Sequence, residues 1–468
     1  MKQRLVFIFL LLLFNSGAGA APYTYDYNDN CRKAYSNYLS LHIREARNNI
    51  IDEIRANPYN LMATFISDYE DCILLMLNCD KTDLEQRKHH LAERIVLLDK
   101  GEEHSPWHRF CKAGVYLHWA IIDVRFGNQF NAAKNFHKSF GLLKENRRLF
   151  PGFSYNDTYA GLEEAVVGSL PGSYKWLASI FGMKGSVLNG TEKLVAFVSA
   201  HTAGDLMYKE TVLYCLYTRF YLLLQQKQAW DYMNSPDFST SGNLLNAYVK
   251  TNLAIDYRKS DAAIEILQAT AKDASYDLYP VFDYQRGVVL LNKTDTSCIW
   301  YFQQYLKKNK SDLYIKDCWQ KMAFANYIAG NLPQAEFCRQ QISLYGAATI
   351  DADKQARKFA ESNTWPLKKL LQSRLLIEGG YYSQALNTLN SIDTTTLTNP
   401  ADKAEYFFRS GRVYEESEKF DKALEYYQSA INRGKNRQEQ FAARSRTTGT
   451  ILWTFIFHKE SLFKIHLD

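Results

Sequence analysis

The stretch Ala404 to Gly434, AEYFFRSGRVYEESEKFDKALEYYQSAINRG, decides the fold. Read from Phe407, a large residue is followed four positions on by Gly411, three further by Tyr414, and then by Ala423, Tyr427 and Ala430. Spacings of three and four place these residues on single faces of two successive helices, a helical hairpin. Small side chains let two rods approach closely, so Gly411 and Ala423 are expected where the two helices touch. Phe407, Tyr414 and Tyr427 are then expected to fill the space between successive hairpins. Phe441 follows Phe407 by 34 residues and is expected to open another hairpin.

The same grammar recurs upstream. Trp319, Met322, Ala323 and Ala335 flank a Gly330-Asn331 turn, and Ala385 marks a second helix in GGYYSQAL, residues 379–386. Gly287 with Trp300 and Phe302 reads as another pair, Ala262, Ile266 and Ala269 as an earlier one, and Ala132 with Phe136 follows a Gly127-Asn128 turn. These offsets resemble the 34-residue tetratricopeptide repeat superfamily, most clearly over 315–440 and more loosely over 240–315 and 105–145. The resemblance implies an all-α fold, a TPR-like right-handed α-α superhelix (solenoid) of antiparallel helix hairpins.

Composition agrees with a folded helical chain. Of 468 residues 46% are apolar and 23% charged, which excludes disorder as the main state, and only 10 are proline, which favours long helices. The net charge of +6 is too mild to argue for nucleic acid. Lys2 and Arg4 precede the apolar run Leu5 to Phe14, and small residues follow, with Ala18 and Ala20 at the −3 and −1 positions. This pattern predicts a secretory signal peptide over 1–20, too short to span a bilayer and removed on export. The expected organisation is an N-terminal helical domain over 21–235, a repeat array over 236–444 after the loop Asn234 to Gly242, and an irregular tail over 445–468, where Ser445 and Thr448 break the repeat phase.

Two features depart from the hairpin pattern. Glycines at 168, 172, 182, 185 and 190 are dense enough to predict a non-repeat insertion near 161–194, with one helix ending at Gly168 to Pro171, another over Tyr174 to Phe181, and a turn at Gly182 and Gly185. Ser169, Leu170, Pro171, Leu177, Gly182 and Gly185 resemble the central segment of a eukaryotic inclusion-body-clearance family of tetratricopeptide proteins. The eight cysteines are too sparse for a disulfide scaffold and read as core thiols, although Cys298, Cys318 and Cys338, at intervals of 20, leave one disulfide open.

Chemistry-bearing motifs are weak. In His104-Ser105-Pro106-Trp107-His108, Ser105 is expected to cap a helix beginning at Pro106, which leaves His104 out of register with His108 for a metal. His89 and His90 read as a solvated face. Ser199, His201 and Asp205 lack a nucleophile elbow, and no phosphate loop or dinucleotide fingerprint occurs. No enzyme, metal or cofactor is expected.

What remains is the inner surface of the solenoid. The first helix of each hairpin is expected to line a concave groove through Gln320, Lys321, Arg374, Arg409 and Arg412. Four of these are basic, and arginines grip carboxylates with paired hydrogen bonds, so the expected ligand is an acidic protein or peptide segment. The function read from this pattern is an exported scaffold for protein–protein interaction, periplasmic or in the cell envelope. The alternative is a carbohydrate-binding component of an envelope nutrient-uptake system, since 8 Trp, 32 Tyr and 27 Phe offer rings on which sugars stack.

Overall fold

A computed structural model describes residues 23–170, 182–362 and 364–433. The expected signal peptide, the helix over Tyr174 to Phe181, the hairpin opened by Phe441 and the tail over 445–468 lie outside the described residues.

Helices form where apolar residues recur at three- and four-residue spacing. The first five are α1 (Asp29–Tyr38), α2 (Ile43–Ala56), α3 (Leu61–Asn78), α4 (Lys81–Arg87) and α5 (His90–Leu98). They are followed by α6 (Pro106–Arg125), α7 (Gln129–Leu149), α8 (Asn156–Gly168), α9 (Val187–Ala200), α10 (Tyr208–Tyr217), a π-helical turn (Thr218–Leu222) and α11 (Gln226–Met233). Next come α12 (Leu244–Asp256), α13 (Ser260–Ala269), α14 (Val281–Asn292), α15 (Cys298–Lys308), α16 (Ile315–Ala329) and α17 (Leu332–Leu344). The last are α18 (Asp351–Glu361), α19 (Lys368–Gly379), α20 (Tyr382–Asn390), α21 (Pro400–Glu416) and α22 (Phe420–Arg433). The architecture is an α-solenoid: α6/α7, α8/α9, α12/α13, α14/α15, α16/α17, α19/α20 and α21/α22 pack as hairpins. No strand occurs among the described residues, and Thr24 and Asn60 make an isolated bridge.

Local chemistry sets the helix ends. The Ser105 hydroxyl accepts the Trp107 amide at 3.3 Å, with Pro106 in the first turn of α6, so His104 falls outside the helix. Gly330 ends α16 at φ 88°, and the Asn331 side chain then accepts the Gln334 amide at 3.3 Å to start α17. Helix α16 is capped from a distance: the buried Asp353 of α18 accepts the Tyr314 and Asp317 amides at 2.9 and 3.0 Å. Burial lifts the Asp353 carboxyl to about 7, so its contribution to stability declines as pH rises from about 4 through that value.

Packing within hairpins relies on missing side chains. A Cβ added at Gly287 would lie 2.5 Å from the Phe302 ring, so α14 and α15 meet by glycine against phenylalanine. In the same way a Cβ at Gly411 would lie 2.7 Å from the Tyr427 ring. Tyr427 therefore fills its own hairpin rather than the gap to a neighbour, because glycine opposite it leaves the space. Two other positions need correction. In α13 the buried apolar residues are Ala263 and Leu267, one register away from Ala262, Ile266 and Ala269, and Trp300 stands 54% exposed while Phe302 is fully buried.

The two described flanks of the glycine-rich segment pair directly as α8 and α9. Cβ atoms at Gly161 and Gly190 would lie 2.9 and 2.5 Å from each other's carbonyl oxygens, so the glycines serve a backbone-to-backbone contact. All eight cysteines are free thiols; Cys298, Cys318 and Cys338 are buried in one apolar cluster with Cys79, and burial raises their pKa values, with that of Cys338 at about 11.

The loop after α11 does not divide the packing. One core runs from Cys31 to Val289, and the Tyr279 hydroxyl donates to the Leu41 carbonyl at 3.3 Å. Farther on, α18 packs on α16 and α17 without a hairpin partner of its own, and the chain then turns back. Helix α19 rests against α12, α14 and α16, and Gly380, at φ 84°, sits where a Cβ would lie 2.1 Å from the Arg258 carbonyl oxygen. Arg258 pairs with Glu416, and the Tyr381 hydroxyl donates to Asp261 at 2.7 Å, which clasps the last hairpins to α12 and α13.

Two glycines separate packing from propensity. Gly287→Ala is expected to destabilise the protein by about 1–3 kcal/mol through overpacking on Phe302. Gly141→Ala, in the middle of α7 with nothing within 4 Å, is expected to stabilise it by roughly 0.5–1 kcal/mol. Thermal unfolding of the two variants checks both signs.

Candidate functional site

Two cavities open between the helices of the solenoid. The first, of about 200 Å³, lies among α3, α6, α10, the π turn and α12. Its wall is rich in tyrosine, with Tyr69, Tyr214, Tyr217, Tyr221 and Tyr248, and its polar residues are His118, Arg125, Glu210 and Asn252. The wide π turn continues directly from α10 and brings Tyr217 and Tyr221 together, their rings 5.7 Å apart and 28° from parallel. Turns of this type are frequent at functional sites. The Tyr221 hydroxyl donates to Asp256 at 2.5 Å, and Arg125 Nε donates to Cys79 Sγ at 2.8 Å.

A buried ionic network backs this cavity. His118 Nδ1 lies 2.8 Å from Asp68 Oδ2, and its Nε2 lies 3.3 Å from the Tyr159 hydroxyl and 3.7 Å from Glu210. Glu210 also accepts the Tyr69 hydroxyl at 2.5 Å and that of Tyr214, while Asp68 accepts Trp119 Nε1 at 3.1 Å and Arg94 at 3.0 Å. Burial pushes the imidazole toward neutrality, but the Asp68 and Glu210 carboxylates overcome it and hold the pKa up at about 9. His118 is therefore a cation at neutral pH.

The second cavity, of about 210 Å³, is enclosed by α12, α14, α16 and α19. Tyr284 and Tyr314 stack in it at 4.2 Å, and the Tyr284 hydroxyl donates to Asp317 at 2.8 Å. Gln285 Nε2 donates to Asn252 Oδ1 at 2.5 Å. Asn252 lines both cavities, so they adjoin along one wall.

Of the five residues expected to line the groove, Lys321 lines the second cavity, and Gln320, Arg374, Arg409 and Arg412 do not. Lys321 lies in its wall, paired with Asp317 and 5.7 Å from the centre of the Tyr284 ring. Gln320 is half-buried on the same helix. Arg374 sits over the Phe324 ring at 5.2 Å, its pKa lowered by burial and by Arg409. Arg409 Nε donates to Glu405 at 2.7 Å. Arg412 lies among Arg258, Glu378 and Glu415, its pKa lowered by burial and by Arg258, and its Nε and Nη2 are buried without a hydrogen-bond partner. The surface is thus charge-balanced rather than basic, because Asp317, Glu378, Glu405, Glu415 and Glu416 interleave with the cations. The spacing of Glu405 to Arg409 and Asp317 to Lys321, four residues on one helix, carried that signal.

The remaining motifs resolve simply. His108 is buried, its Nε2 2.9 Å from Lys112 Nζ, which leaves no lone pair for a metal on that nitrogen. His201 Nε2 lies 3.1 Å from the Ser154 hydroxyl and its Nδ1 2.9 Å from the Phe197 carbonyl, while Asp205 accepts from Thr202, so Ser199, His201 and Asp205 form no relay. His90 is not merely solvated: its Nδ1 lies 2.8 Å from Asp71. Ligand atoms of His89, His90 and Glu93 lie within 4.8 Å of one another on the surface. No described helix is long and apolar enough to cross a membrane.

The His118 network is open to direct measurement. Its imidazole signals in NMR are expected to remain those of the protonated ring at pH 7.5 and to titrate near pH 9. Because its folded pKa exceeds the value of 6.5 for a free side chain, its contribution to stability is full below pH 6.5 and is lost as pH rises through about 9.

Comparison with known families adds the context. No curated protein matches the chain, and no match covers 169–185, so the likeness of that segment to the inclusion-body-clearance family is unsupported. The sequence model described as the SusR N-terminal TPR domain matches residues 351–454, from the start of α18 through α22 and beyond the described residues. The described chain is therefore an all-helical repeat protein, and over residues 351–454 it is similar to the tetratricopeptide repeats of the SusR N-terminal domain.

Proposed function

We propose that this chain is an exported, non-enzymatic scaffold that holds a partner protein along its inner wall, in the periplasm or cell envelope. The carrying observation is the tyrosine-rich wall shared by the two cavities at Asn252. Tyrosine supplies large contact area with a hydrogen-bonding tip at small entropic cost, and it is over-represented among residues that dominate binding energy. An extended segment with apolar side chains fits the Tyr217, Tyr221 and Tyr248 end. At the other end Gln320, Lys321, Arg374, Arg409 and Arg412 meet the segment, and the unpaired donors of Arg412 favour a carboxylate there. Export rests on the basic, apolar and small-residue order of the first 20 residues.

The test is affinity capture from envelope extract with the processed chain. Tyr217→Ala with Tyr248→Ala is expected to weaken capture of the recovered partner by at least about tenfold. Arg409→Glu with Arg412→Glu is expected to weaken it less for a neutral segment and as much for an acidic one. Capture unchanged by both pairs refutes the reading. Sugar stacking is the competing use of the same tyrosines, and a glycan array on which the tyrosine pair abolishes binding would favour it. Export is checked by N-terminal sequencing of the chain from the envelope fraction, with Ala21 expected first.

A further inference from the structure

Besides the two cavities, a cleft of about 550 Å³ lies between α7 and α8. Leu162 of α8 lines the first cavity, whereas Ala160 and Glu163 of the same helix line this cleft. Among the described residues twelve buried side-chain polar atoms have no hydrogen-bond partner; two of them, Asn156 Nδ2 and Glu163 Oε1, belong to residues that line this cleft, and a third, Asn146 Oδ1, is on the residue whose amide donates to Asn156. Glu163 is 1% exposed and Asn156 2%, and both line the cleft. Leaving such an atom unpaired costs about 1–3 kcal/mol, and native proteins keep few of them. Single waters satisfy isolated groups, but the cleft is many times the roughly 30 Å³ that a water occupies.

We propose that this cleft binds a small anion carrying several hydroxyl groups. The cleft offers an amide donor at Asn156 and, at Glu163, a carboxyl group that both donates and accepts. A hydroxyl also does both, so a polyhydroxylated molecule matches this set. Burial raises the Glu163 carboxyl to about 8, offset in part by Ser139, so at neutral pH it is uncharged and able to donate. Phe140 and Phe153 form apolar walls. The rim sets the charge: Lys144, Arg148 and Lys184 line the cleft with no ion-pair partner among the described residues. The charges nearest them are already engaged, Asp157 4.0 Å from Arg147 and Glu164 against Lys193 of α9.

The test is calorimetric titration of the whole processed chain with D-gluconate, with glucitol as the uncharged control and acetate as the control without hydroxyls. Gluconate is expected to bind at least about tenfold more tightly than either control. Lys144→Glu with Arg148→Glu is expected to remove that preference while leaving the circular dichroism melt unchanged. The other charged groups at the cleft are Lys144, Arg147, Arg148, Lys184, Asp157 and Glu164, the last paired with Lys193, and Glu163 is the one whose carboxyl burial lifts to about 8. Wild-type affinity is expected to fall at least about fivefold as pH rises from about 6.5 to about 9, and Glu163→Gln to hold its affinity at the upper end. Gluconate binding no tighter than acetate or glucitol, absence of heat at ~10 mM ligand, or affinity indifferent to the rim reversal overturns the proposal.

Discussion

The approach of α8 to α9 without intervening side chains is the contact on which both faces of the N-terminal half depend. Gly161 and Gly190 bring backbone against backbone, and a Cβ at Gly185 would lie 2.3 Å from the Gly168 amide nitrogen. Held that closely, α8 presents Tyr159 to the His118 ring and Leu162 to the first cavity, while Glu163 is carried to the opposite side. Glycine costs a helix interior about 1 kcal/mol per residue, so Gly161, Gly168 and Gly190 within the two helices are a conformational expense that close packing offsets. A larger residue at Gly161 or Gly190 would separate the helices and shift both surfaces together.

The charged groups follow a second constraint. Asp68, His118 and Glu210 lie in a region of low dielectric, where an ion without a partner is far more costly than one in water. Each is therefore engaged on several sides, and the network fixes the rotamers of the tyrosines behind the first cavity. In the later helices the same rule gives a different result. Cations and carboxylates alternate along α16, α19 and α21, so the surface carries many charges and little net potential. A partner is selected there by the pattern of charges rather than by their sum.

The hairpin of α21 and α22 was legible because its determinants are local: a small residue opposite a large one at fixed offsets. The same is true of the Ser105 cap and of the Gly330 turn. Legibility failed where two adjacent residues satisfy one rule equally, as at Ala262 and Ala263, since either alanine lets helices touch and only the three-dimensional contact chooses. It failed also for Gly161 and Gly190, because the sequence does not say whether a glycine breaks a helix or admits a neighbour. Of the candidate site, the arginines were visible and part of their neutralisation was too, in the four-residue spacing of Glu405 and Arg409. The tyrosines of the first cavity were not distinguishable from core residues: Tyr214, Tyr217 and Tyr221 share one helical face, and only the fold leaves a space in front of it. Arg258 and Glu416 are 158 residues apart, and no local pattern predicts their meeting.

The clasp at Gly380 has a mechanical consequence. An open solenoid stretches like a spring, because each hairpin touches only its neighbours and small rotations accumulate along the axis. Here the later coils are fastened to earlier ones through the Arg258 carbonyl and the Arg258–Glu416 pair, so the elastic compliance of that half is removed. Tension applied at the C-terminal end is transmitted to α12 and α13 rather than dissipated in the intervening hairpins, making residues 244–433 a stiff lever attached to the tyrosine-lined wall.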